Sequence, residues 1–365
     1  MVANIDDAIR SLNRHIAILE AKLVFLIRSS LYSDGNHIHY DDDGHDDHIS
    51  FLDIPYEVRR KMCSIEEEIA YATRRKRNFE ILRQMSATRY LTPERYTSIK
   101  NNIIRYLEYG PTDSNKILIL LHGLGGSAER WSHVIPTLLS TTKIKEEDYR
   151  IIIPDIIGFG YSDKPAVEYT MDFFINDFFI PFLDNLGISK ATIIGSSFGG
   201  HLATEFAIRF RDRVEKLILV SPAGMMREPN PTIENYARAA LEPRYRRVYD
   251  AFREMVYDTS VVTEAMVRDF INIMKLHKAG HAFASTLYNL KYAPNLPNRL
   301  SNITAPSLIV WGENDRMIPL AENAPQFNGI PNMIMERLLV VINECGHLVP
   351  LEKPLTLSKI VVRCI

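Results

Sequence analysis

Three kinds of hydrophobic spacing follow one another along the chain, and each predicts a different kind of element. Near the start, Ile5, Ile9, Leu12, Ile16, Leu19, Leu23 and Leu26 recur at intervals of 4, 3, 4, 3, 4 and 3 residues. That heptad stripe predicts a helix whose apolar face needs a partner. The spacing returns at Val58, Met62, Ile65, Ile69 and Ala72, inside a segment running from Pro55 to about Met85, until Arg74-Arg75-Lys76-Arg77 interrupts it. Two such helices pair as an antiparallel hairpin or across a dimer, so self-association through the N-terminal helices is one expectation. Residues 33–50, between them, are dense in Asp and His and have too little apolar surface to fold alone. They read as a solvated acidic linker rather than a metal site, because the ligand-type side chains show no fixed spacing.

From about residue 96 the pattern changes to short, continuous apolar runs rich in β-branched residues. These are Ile103–Glu108, Lys116–Leu121, Tyr149–Ile153, Ala191–Ile194, Lys216–Val220, Ser307–Trp311 and Arg337–Val341. Runs of this kind are strands buried on both faces, and helical stretches lie between most of them, which predicts an α/β protein with a mostly parallel sheet covered by helices on both sides. The interval between Val220 and Ser307 is too long for one crossover helix. Tyr236–Tyr257 and Val261–Leu276 read as helices there, so a helical cap at about 226–300 is expected over the carboxyl ends of the strands. The domain reading is a helical extension at 1–95 and an α/β domain at 96–365.

Composition narrows the function classes. The chain has 365 residues and a formal net charge of -2, with no basic excess to favour nucleic acid. The run Arg74–Arg77 reads as a solvated helix face. No stretch of 18 uncharged apolar residues suggests a transmembrane span, and Asp6 and Asp7 stand where an export signal would carry positive charge. Three cysteines, Cys63, Cys345 and Cys364, suit a reducing compartment, so the cytoplasm is the expected location.

The candidate chemistry begins at Gly195-Ser196-Ser197-Phe198-Gly199-Gly200, between the run Ala191–Ile194 and a helix-like stretch. A sharp strand-to-helix turn strains its central residue and needs small neighbours two positions away, which Gly195 and Gly199 supply. Ser197 then projects its hydroxyl at a helix N-terminus, where an oxyanion is favoured. A serine nucleophile needs a base, and the base needs a carboxylate. Downstream strand ends offer Asp315, with Glu313 as a nearby alternative, and then His347 after Gly346. The glycine-rich turn His122-Gly123-Leu124-Gly125-Gly126 follows another strand, so the amides of Leu124 and Phe198 are the expected oxyanion donors.

These motifs, with Asp155-Ile156-Ile157-Gly158-Phe159-Gly160 after the third run and Trp311-Gly312-Glu313-Asn314-Asp315, resemble the α/β-hydrolase superfamily from about Ile103 to the end. The resemblance implies that fold, a Ser197, Asp315 and His347 triad, and no metal or organic cofactor. Within the superfamily the chain resembles the meta-cleavage-product hydrolases, which split carbon–carbon bonds in dienoic diketones, through Pro231–Asn235, Tyr257–Ala265 and Trp311–Arg316. It departs from them in carrying Ser196 where they carry Asn, Leu348 where they carry Trp, and Phe270, with Arg268 nearest, where they carry a cap arginine. The lipase and esterase branch is also similar, through Ser221-Pro222-Ala223-Gly224. Its apolar pocket would be formed by Trp131, Phe198, Met225, Met226, Met317, Leu348 and Val349. The departures favour a serine esterase acting on a small ester or acyl substrate, with carbon–carbon hydrolysis as the alternative and a non-enzymatic binding protein as a further one.

Overall fold

Alternation within the apolar runs gives each central strand two buried faces. In β3 (Ile117–Leu121), Ile117, Ile119 and Leu121 join one core while Leu118 and Leu120 join another. Side chains alternate across a strand, so a run buried on both faces must be apolar throughout. The remaining strands are β1 (Glu94–Ile99), β2 (Asn102–Tyr109), β4 (Arg150–Pro154), β5 (Ala191–Ser196), β6 (Val214–Val220), β7 (Ser307–Gly312) and β8 (Leu339–Ile342). They form an eight-stranded sheet in the order β1-β2-β4-β3-β5-β6-β7-β8. The β1–β2 and β2–β4 pairs are antiparallel and the others parallel.

The computed structural model describes residues 2–32, 94–226, 228–291, 296–334 and 339–365, with 57–58, 60–62, 64–66, 68–69, 72–73 and 76. The Asp- and His-rich tract at 33–50 lies outside the described residues. The chain divides into two compact units, Met1–Leu91 and Thr92–Ile365.

In the first unit, α1 runs from Val2 to Tyr32. Leu12 and Leu19 are buried on it, with Ile16, Leu23 and Leu26 half-buried, so burial follows the heptad stripe. The described residues between 57 and 76 are helical, with Met62 and Ala72 buried and Val58, Ile65 and Ile69 half-buried.

In the second unit, β1 has no counterpart among the apolar runs of the sequence, and a boundary after residue 95 cuts through it. Its six residues, Glu94 to Ile99, carry a mixed polar pattern and are mostly half-buried. The strand forms because Lys100 and Asn101, with φ of 46° and 69°, make a tight two-residue turn that returns the chain as β2.

Helices cover both faces of the sheet. On one side α2 (Phe198–Arg209) packs with Phe174 and Phe179; on the other Trp131, Ile135 and Leu138 pack with Leu357 and Val361 of α7 (Pro354–Cys364). Between β6 and β7 lies the cap, made of α3 (Pro231–Leu241), α4 (Tyr245–Met255), α5 (Glu264–Met274) and α6 (Ala279–Lys291). The single helix expected over Tyr236–Tyr257 is two helices. Pro243 has no N–H to continue the ladder and keeps its predecessor out of the helical region, which breaks the run. The helix starts are locally specified: the Asn230 side chain accepts from the Ile233 amide at 3.0 Å, and the Thr263 hydroxyl from Met266 at 3.2 Å. The cap core is aromatic, with Phe252 and Phe270 ring centroids 5.1 Å apart and Tyr236 against Phe283 at 5.6 Å.

Because β3, β5, β7 and β8 are parallel, the loops at their carboxyl ends share one edge of the sheet. Those loops carry Leu124, Ser197, Asp315 and His347. Among the described residues no helix is long and apolar enough to cross a membrane.

Candidate active site

The turn after β5 holds Ser197 in a rare backbone conformation, with φ 54° and ψ -118°. Room for it comes from absent side chains. A Cβ on Gly195 would meet the Gly199 carbonyl oxygen at 2.3 Å, and one on Gly199 would meet that of Leu121 at 2.5 Å. The Ser197 carbonyl accepts from the amides of His201 at 3.1 Å and Ala223 at 3.0 Å. In a trans peptide the following N–H points the opposite way, so the Phe198 amide, at the first position of α2, is turned away from the helix body.

The loop after β3 is fixed by the same logic. The Ile156 amide donates to His122 Nε2 at 3.0 Å, so the other ring nitrogen, Nδ1, carries the proton and donates to the Gly123 carbonyl at 2.8 Å. Gly126 N–H also donates to that carbonyl, at 3.0 Å. The Leu124 N–H shares a peptide plane with the Gly123 carbonyl and so points away from these donors. The Leu124 carbonyl is in turn held by the Tyr236 hydroxyl of the cap at 2.7 Å. Burial lowers the His122 pKa to about 4, keeping the ring neutral and its two roles fixed at higher pH. The loop passes close to the serine: a Cβ on Gly123 would lie 3.2 Å from Ser197 Cβ.

Asp315, buried after β7, receives the amides of Met317 at 2.9 Å and Ile318 at 2.8 Å on Oδ1. Its Oδ2 accepts from His347 Nδ1 at 2.8 Å. This tautomer leaves His347 Nε2 as the basic nitrogen. Glu313 is exposed, so the carboxylate at the histidine is Asp315. His347 itself is 2% exposed and is held by its backbone N–H, which donates to the Met255 carbonyl of the cap at 2.7 Å.

Ser197 and His347 open on a cavity of about 540 Å³ between these loops and the cap. Trp131, Met317 and Leu348 line it, with Phe252, Met255 and Met266 of the cap. Met225, Met226 and Val349 do not line it, contrary to the sequence expectation. Met225 and Met226 pack into the core beneath the cap, and Val349 is fully buried in the core on the opposite face of the sheet. Phe198 also packs inward, 4.9 Å from Phe174, and leaves only its amide for the site.

Arg130, Tyr236 and Asp269 are polar wall residues that no motif or spacing in the sequence singles out. The Arg130 guanidinium stands 5.0 Å over the Phe252 ring. Burial lowers its pKa while Tyr236, Asp269 and Glu129 raise it, and among the described residues no carboxylate forms an ion pair with it. The nearby acids are occupied: Glu129 pairs with Arg105 at 2.5 Å, and Asp269 accepts from the Tyr161 hydroxyl at 3.0 Å. The cap positions that the sequence pointed to supply no cation here. Phe270 is buried in the cap core, and Arg268 is two-thirds exposed and paired with Glu264. Among the described residues no group of three or more His, Cys, Asp or Glu is arranged to hold a metal ion.

Comparison with known proteins gives this geometry a setting. Residues 116–354 match the α/β-hydrolase fold family. A 2-hydroxy-6-oxononadienedioate/2-hydroxy-6-oxononatrienedioate hydrolase of Paraburkholderia phymatum is 30% identical over 250 residues, which is 66% of this chain and 84% of that protein. Among solved structures, a meta-cleavage product hydrolase from Pseudomonas fluorescens is 26% identical with a TM-score of 0.63, covering 73% of this chain and 96% of that one. An enol-lactonase from Burkholderia xenovorans, 20% identical with a TM-score of 0.61 and 73% and 98% coverage, shares the fold.

Proposed function

The chain belongs to the α/β-hydrolase family, and from that premise we propose that it hydrolyses a carbon–carbon bond in a dienoic diketone bearing a carboxylate. Ser197, activated by His347 and Asp315, is the nucleophile. Arg130 carries this reading: a cation in a largely apolar wall, free of any ion-pair partner among the described residues, suits a substrate that brings its own carboxylate. The relatives named for hydroxy-oxo-dienedioates support it.

Ser197 Oγ attacks the ketone carbon as His347 Nε2 takes its proton, and the amides of Leu124 and Phe198 stabilise the oxyanion. Collapse of the tetrahedral intermediate breaks the bond to the neighbouring carbon. The electron pair enters the conjugated arm in its keto form, and His347 returns the proton to that carbon. Water, deprotonated by His347, then cleaves the acyl-enzyme and releases a carboxylic acid. Arg130 holds the carboxylate of the leaving arm.

A charge-assisted hydrogen bond contributes about 1.5–3 kcal/mol, so Arg130→Ala lowers kcat/KM on a carboxylated dienoic diketone by about 10- to 100-fold. On p-nitrophenyl acetate, which has no carboxylate, the same variant stays within about twofold of the parent. Equal losses on both substrates would exclude the carboxylate role. A carboxylic ester is the second reading, favoured by the apolar Met266, Met317 and Leu348 walls beside the same triad.

A further inference from the structure

Gly346, next to His347, lies against the joint that follows cap helix α4. A Cβ there would meet the Met255 carbonyl oxygen at 2.5 Å, Val256 Cα at 2.8 Å and Tyr257 N at 2.9 Å. At Gly346 the histidine loop and the cap therefore approach backbone to backbone, with no room for a side chain. One carboxylate spans the junction. Glu352, half-buried at the end of the short turn that follows the histidine, accepts from the Gly346 amide on Oε1 at 2.9 Å. Its other oxygen accepts from the amides of Tyr257 at 2.7 Å and Asp258 at 3.3 Å.

We infer that Glu352 is a positioning residue whose carboxylate clips the cap joint at Tyr257–Asp258 to the Gly346 amide, so that seating of the cap and orientation of His347 are set together. This rests on the triad reading above. Three N–H groups converge on one side chain, and two of them belong to the segment whose Met255 carbonyl receives the His347 N–H. A half-buried carboxylate used only for solubility would face water. This one faces backbone donors on both sides of the junction, which favours its charged form, whereas burial opposes it and raises the pKa. The clip restrains the loop in the direction that sets where His347 Nε2 points. Displacement of a catalytic group by about 1 Å costs on the order of 100-fold in rate.

The test uses the full chain and a fluorophosphonate probe, whose final extent of labelling counts competent sites and whose rate constant reports activation of Ser197 by His347. Glu352→Ala is expected to lower the labelling rate constant and the kcat on p-nitrophenyl acetate by about 10- to 100-fold, with full final labelling and KM within about threefold. Glu352→Gln keeps one carbonyl oxygen as an acceptor and is expected to fall between the two, which also decides the matter if the alanine variant does not fold. Wild-type rate constants in the variants, or a loss confined to labelling extent or to KM, would overturn the inference. A parent protein that the probe does not label at all would instead remove the serine-hydrolase reading, and this inference with it.

Discussion

Ser197→Ala lowers kcat by about a millionfold on any substrate the parent turns over, because no other group in the cavity can form the acyl-enzyme. The size of the effect follows from the geometry. The strained turn places the Ser197 hydroxyl beside the Gly123 loop, and the other serines of the cavity wall are Ser127, Ser132 and Ser196. Ser196 is the last residue of β5, and Ser127 and Ser132 follow the glycine loop, so none of the three sits at the N-terminus of α2. A rate constant from single-turnover kinetics, with purity checked by mass spectrometry, gives the result. Retention of even a hundredth of the parental rate by the alanine variant contradicts covalent catalysis at this residue.

Asp315→Asn follows with a loss of about 10,000-fold in kcat and an intact fold. Its Oδ1 accepts two backbone amides and its Oδ2 receives His347 Nδ1–H. An amide keeps the first set of bonds with its oxygen and presents its NH2 to the imidazole. His347 must then accept at Nδ1, which moves the proton to Nε2 and removes the base from the serine. Circular dichroism of the variant should overlay that of the parent, and kcat against pH should show the loss at every pH above the acid limb. If Glu313→Gln rather than Asp315→Asn produced the large loss, the acid would be misassigned.

The parts of the fold that were legible in the sequence are those where one physical demand dominates. β3, β4, β5, β6 and β7 are buried on both faces, so nearly every residue in them had to be apolar and the runs stood out. β1 did not stand out because, as an edge strand, it tolerates Glu94, Arg95, Thr97 and Ser98, and only its turn at Lys100-Asn101 specifies it. The apolar pattern shows two of the four cap helices, because it runs on across Pro243 and is weak over Ala279–Lys291, where small residues and a histidine blur the period.

In the candidate site, backbone-driven features were legible and cavity-facing side chains were not. Glycine spacing marks the turns at Ser197 and Leu124, because close backbone approach admits nothing larger. Periodicity cannot say which of two buried faces a side chain joins, so the pattern assigns Val349 to the pocket although it packs beneath the sheet, and Met225 and Met226 although they pack beneath the cap. The sequence pattern points to the cap for a cation, which stands instead at Arg130, four residues beyond Gly126, where nearness to the glycine loop is its only trace in the sequence. On the sequence alone, the absence of a cap arginine favours an ester. Arg130 removes that objection to a carboxylated substrate, and with it the balance moves to carbon–carbon cleavage.

The central claim is therefore one of substrate class, and one comparison tests it most directly: kcat/KM of the parent enzyme on a carboxylated dienoic diketone against that on a short p-nitrophenyl ester under the same conditions. A carbon–carbon hydrolase turns over the diketone with a kcat/KM at least about 10-fold above the ester, because only the diketone uses Arg130 as well as the triad. Rapid ester hydrolysis with no measurable cleavage of the diketone would contradict it and return the chain to the esterases.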